Sequence, residues 1–103
     1  MGVGMQIAYL GFAGSAALEG EAGAELVRLN RFAEHIAGCH LAIEARSDQS
    51  SGRALYDARL DLITRDYALI PVEHSTDADP KLALHQAFDT AVEVLERLAG
   101  SIR

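Results

Sequence analysis

The chain has 103 residues, with 9 Lys and Arg against 15 Asp and Glu, a formal net charge of −6, and an apolar content of 50%. That length suits one compact domain able to bury roughly two thirds of its unfolded surface, and the apolar content excludes a disordered chain. The acidic balance argues against indiscriminate phosphate binding, no apolar run approaches the ~18 residues of a membrane-spanning helix, and the single cysteine, Cys39, excludes an internal disulfide framework.

Residues 1–4 read as a disordered N-terminal extension and residues 5–103 as a single domain. The opening stretch MGVGMQIAYL lacks the basic start of a secretory signal, and Gln6 stands where a myristoylation site needs Ser or Thr. With the lone cysteine this points to a reducing, cytoplasmic setting. QIAYLGF (6–12) is nearly continuously apolar and predicts a short strand covered on both faces. Ser15 then offers an N-cap, and residues 16–37 read as a helix. Leu18, Ala22, Leu26, Leu29, Phe32 or Ala33, and Ile36 fall on one face, and Gly38 is placed to end the helix.

CHLAIEAR (39–46) alternates and predicts a second strand, followed by the polar loop 47–52. Residues 54–65 form a long third strand. Its Tyr56, Ala58, Leu60 and Leu62 make an apolar row, and Asp57, Arg59, Asp61 and Ile63 make the opposite row. TRDY (64–67) reads as a tight turn. ALIPVEH (68–74) reads as a fourth strand that must lie at an edge or break at Pro71. After an acidic loop, STDADP (75–80), Asp79 and Pro80 mark a helix start. That helix carries the stripe Leu84, Ala87, Phe88, Ala91, Val94, Leu95 and Leu98. The order is β-α-β-β-β-α. It predicts an α+β fold with a four-stranded sheet, both helices on one face, and the row of Asp57, Arg59 and Asp61 on the open face.

LVRLNRFAEHIAGCHLAIEA (26–45), then GRALYDARLDL (52–62), then LALHQAFDTAVEVLERL (82–98), resembles the ribosome hibernation promoting factors, also known as ribosomal subunit interface or ribosome-associated inhibitor proteins. The matching features are Arg28-Leu29-Asn30-Arg31-Phe32 with His35-Ile36, the Gly38-Cys39 step, the Gly52-Arg53 pair, Ala58-Arg59-Leu60-Asp61-Leu62, and Ala87-Phe88-Asp89 with Leu95-Glu96. The similarity runs over roughly residues 6–99. It implies a fold like a double-stranded-RNA-binding domain with an added first strand. It also implies binding to ribosomal RNA in the tRNA and mRNA channel of the small ribosomal subunit under stress, blocking translation with no chemistry performed. The chain departs from this family in having one lysine, Lys81, and more carboxylates than basic groups on both helices.

On that resemblance the expected RNA contacts are Arg28, Arg31, Arg59, Lys81 and Arg97. The four arginines each have a second reading. Arg28 and Arg31 are either a phosphate clamp or solvated arginines bonded to Glu25 or Glu34 at helical spacing. Arg59 either reaches RNA or belongs to a cross-strand charge ladder. Arg97 near a helix C-terminus also suits the helix dipole. No Cys-x-x-Cys or His-x-x-x-His pair supports a metal, so Cys39 reads as half-buried and the histidines as surface groups. No nucleophile elbow or phosphate loop supports an enzyme or a cofactor. The alternative function is a diverged relative that binds a protein partner, or a second copy of itself as a homodimer through the open sheet face.

Overall fold

The computed structural model describes residues 2–101. Met1 and residues 102–103, the outermost parts of the two expected segments, lie outside them. The elements in chain order are β1 (Gly4–Leu10), α1 (Ala16–Leu29), a 3-10 turn (Asn30–Phe32), β2 (Ile36–Ser47), β3 (Ala54–Thr64), β4 (Leu69–Pro71), β5 (Ser75–Asp77) and α2 (Pro80–Ser101). The sheet runs β1-β2-β3-β4, with β5 also paired to β3. β1 lies parallel to β2, as the connection through α1 requires, and the remaining pairings are antiparallel. The architecture is the expected α+β fold, with both helices on the face that buries Leu41, Ile43, Ala58, Leu60 and Leu62.

The sheet has a fifth strand, and it arises from Pro71. β4 ends at that proline, which has no N–H to donate. The edge row resumes at Ser75, so the loop expected over 75–80 begins with a short strand. Asp61 faces Pro71 and Ala58 faces Ser75, so three steps along β3 match four along the edge row. One extra residue is thus accommodated as a bulge, and the Val72 N–H donates to the Leu60 carbonyl at 3.0 Å within it. β4 and β5 are one broken edge.

The helix expected over 16–37 stops at Leu29 instead. Its start is as read: Ser15 Oγ accepts from the Leu18 N–H at 3.1 Å. Its end differs because Ile36 already belongs to β2. The register slips between Ile36 and Gly38, which turns both Ile36 and Cys39 toward the core. Gly38 is therefore a strand residue rather than a helix cap. A Cβ there would stand 3.0 Å from the Gly4 carbonyl oxygen, so glycine permits the close approach of β1 and β2.

Residues 3 and 4, read as part of the extension, join the domain. Val3 is buried, its N–H donates to Asn30 Oδ1 at 3.0 Å, and Gly4 opens β1. Cys39 is 1% exposed rather than half-buried. α2 begins as expected, with Asp79 Oδ1 accepting from the Lys81 N–H at 2.9 Å. Its Ala83, Leu84, Ala87, Phe88, Ala91 and Leu95 are fully buried against the sheet and α1. At the far end of β1, Tyr9, Phe12 and Tyr56 meet edge to face, with ring centroids 5.4 and 5.2 Å apart.

Candidate nucleic-acid interface

The five basic residues expected to meet RNA do not share one surface. Arg28 lies in the last turn of α1 and Arg31 in the 3-10 turn after it, while Lys81 and Arg97 lie near the two ends of α2. Arg59 projects from the opposite side of the sheet, because it alternates with the buried Ala58 and Leu60. The fold thus brings Arg28 and Arg31 together, strings Lys81 and Arg97 along the neighbouring helix, and separates Arg59 from all four.

The two clustered arginines are already engaged. Arg28 Nη1 donates to Glu25 Oε1 at 2.6 Å and to Asp89 Oδ1 at 2.8 Å. Arg31 Nη2 donates to Glu96 Oε2 at 2.9 Å, and its guanidinium carbon stands 4.6 Å over the Phe32 ring. Arg28 therefore takes Glu25, as helical spacing offers. Asp89 and Glu96 come from α2, and Arg31 takes Glu96 rather than Glu34. Arg28, Arg31 and Val92 line a shallow hollow of about 210 Å³.

Behind this pair lies a charge network in which Glu25 is 7% exposed. Burying a carboxylate is costly unless its oxygens are satisfied. Here one oxygen takes Arg28, and the other contacts His85 Nδ1 on α2. The second ring nitrogen of His85 lies 2.9 Å from Glu21 Oε2. An imidazole with a carboxylate at each nitrogen can donate twice only when protonated. The hydrogen bond with Glu25, followed by the charges of Glu25 and Glu21, raises the His85 pKa above its ordinary value against the opposing effect of burial. His85 is thus a joint between the helices rather than a plain surface histidine. Its signal was a Glu21, Glu25, Arg28 series on one side of α1, but the partner on α2 is 60 residues away in sequence.

Between Lys81 and the two arginines stand His85 and the carboxylates of Glu21, Glu25 and Asp89, so the basic groups do not merge into one positive strip. On the open face, Asp57 receives Thr76 Oγ1 at 2.9 Å and His74 Nδ1 at 3.2 Å. The register sets Arg59 opposite Ala42, so the cross-strand charge ladder expected for it does not form, and it sets Asp57 opposite Glu44. At the β3–β4 end of this face the side chains change character. Tyr67, in the left-handed region at φ 66°, Ile63, Met5, Gln6 and His40 border a hollow of about 430 Å³, where Gly4 and Gly38 contribute no side chain. Tyr67 is 84% and Leu69 62% exposed.

No protein-family profile and no curated protein matches the sequence. Solved structures do match the fold. One is a ribosomal subunit interface protein from Coxiella burnetii, with a TM-score of 0.70 and 15% identity over 95% of this chain and 99% of that one. Another is the N-terminal domain of Protein Y from Thermus thermophilus, with a TM-score of 0.71 and 18% identity over 95% of this chain and 99% of that one. At this identity the likeness is one of fold, and it is the fold that the sequence resemblance implied. No helix among the described residues is long and apolar enough to cross a membrane.

Proposed function

We propose that the chain is a ribosome-associated factor of the hibernation type. It is a non-enzymatic, cytoplasmic protein that acts as a single domain, in which residues 3 and 4 take part. It occupies the tRNA and mRNA channel of the small ribosomal subunit under stress and halts translation reversibly. The observation that carries this reading is the likeness of fold, over 95% of the chain, to a protein named as a ribosomal subunit interface protein. The order and spacing of the residues that resemble the hibernation factors support it independently. In this reading Arg28, Arg31, Lys81 and Arg97 meet phosphates from the helix side, and Arg59 makes a separate contact from the sheet. Guanidinium groups suit phosphate because they bond it with two parallel donors.

The test is co-sedimentation with purified small ribosomal subunits at about 50 and 200 mM salt, because each phosphate contact releases counterions and makes affinity fall with salt. Binding is expected at the lower salt and strongly reduced at the higher. Arg28→Ala with Arg31→Ala is expected to flatten the logarithmic salt slope by about two. Absence of co-sedimentation at both salts removes the reading.

A second reading, binding of a protein partner or a second copy through the open face, is favoured by one observation. The apolar end bordered by Ile63, Tyr67 and Leu69 is exposed, while the helix-side arginines already hold carboxylates. Light scattering that finds only monomer, with no partner in a pull-down, discards it.

A further inference from the structure

Arg28 and Arg31 stand side by side around a hollow floored by Val92. Each gives one guanidinium nitrogen to a carboxylate of α2. Asp89 and Glu96 lie three residues before and four after Val92 on α2, on the same side of the helix as the hollow that the two arginines line. All four side chains are between 44% and 61% exposed. Pairs so exposed are individually weak and exchange with solvent.

We infer that Asp89 and Glu96 are selectivity residues for this seat: they occupy the arginines against isolated anions and yield them only to a dense phosphodiester polyanion, an RNA strand. This rests on the RNA-binding reading above and adds to it the groups that set its threshold. A single inorganic phosphate only exchanges a carboxylate contact for a phosphate contact and gains little. An RNA backbone presents several phosphates in fixed array and releases counterions at each, so its gain outweighs two weak pairs. Arg28 keeps its buried partner Glu25 throughout, which holds the guanidinium at the rim while Asp89 is exchanged.

The experiment compares the wild-type chain with Asp89→Asn plus Glu96→Gln. Both substitutions are near-isosteric and keep the helix. A charge-matched control, Glu19→Gln plus Glu73→Gln, removes two exposed carboxylates that hold no arginine among the described residues. Affinity for poly(U) is measured by fluorescence anisotropy at several salt concentrations, beside co-sedimentation with small subunits and titration with inorganic phosphate.

Asp89→Asn plus Glu96→Gln is expected to bind poly(U) about three- to tenfold more tightly than the control, the range two weak exposed pairs allow. It is also expected to bind with a steeper salt slope and to gain measurable phosphate binding. Adding Arg28→Ala and Arg31→Ala removes the gain. Equal affinity of the variant and the charge-matched control overturns the inference, because bulk charge then accounts for the change. A gain on poly(U) without binding to small subunits leaves the selectivity role standing and removes the ribosome as the partner. Small-subunit binding that neither pair of substitutions alters, with no gain on poly(U), keeps the ribosome reading and ends this one.

Discussion

The two faces of the sheet handle charge in different ways. On the helix-covered side Arg28, Arg31 and His85 join α1 and the turn after it to carboxylates or a ring across the α1–α2 seam. His85, Asp89 and Glu96 reach groups 60, 61 and 65 residues earlier, and the Arg28 and Arg31 contacts close at 2.6–2.9 Å. On the open face, charge alternates along a single strand, and the register places Asp57 opposite Glu44. The helix-side charges are therefore balanced by the tertiary fold and tied to its integrity. Those of the open face are balanced less fully: Asp57 holds His74 and Thr76 but stands opposite Glu44.

The largest difference in stability is expected between one substitution on each side of the sheet. Phe88→Ala empties a fully buried position in α2 and is expected to cost about 3–5 kcal/mol. Arg59→Ala on the exposed face is expected to stay within about 0.5 kcal/mol. Urea unfolding of both variants checks the contrast, and a large cost at Arg59 would show that the open face is structurally committed.

An intermediate effect is expected at the helix joint. Glu25→Gln keeps the shape but removes the charge that Arg28 and His85 share, at a cost of about 1–3 kcal/mol. The joint also makes stability depend on pH. The folded pKa of His85 lies above its ordinary value of 6.5. Its contribution is therefore complete below that ordinary value and lost as pH rises through the raised one. Melts across that window should show the loss, and His85→Gln should flatten it. An NMR titration of the His85 ring should move down in Glu25→Gln, and an unmoved titration would remove the joint. The smallest effect is expected at Glu44→Lys, which turns a like-charge pair opposite Asp57 into an attractive one and stabilises by about 0.2–1 kcal/mol.

The periodic parts of this fold were legible in the sequence. The alternation of β3 and the stripe of α2 each report a single face, and both faces turn to the core, with Tyr56, Val94 and Leu98 partly buried at its margin. Residues 30–38 misled because Ala33 and Ile36 fit a helical period, and only a slip in register lets Ile36 and Cys39 both turn inward. β5 escaped because Ser75, Thr76 and Asp77 are polar and become a strand by leaning on β3. At the candidate site, Arg28 and Arg31 were legible as a pair from their spacing. Their carboxylate partners on α2 were not, since no local pattern links positions so far apart.

The placement of Cys39 has a practical consequence. It sits near the start of β2, between β1 and β3, and burial pushes its thiol up to about 11. The reactive thiolate is therefore scarce and sheltered while the sheet is closed. As the only sulfhydryl in the chain, it becomes a single-site clock. The rate at which a thiol reagent labels it reads how often the central strands open, with no engineered probe required.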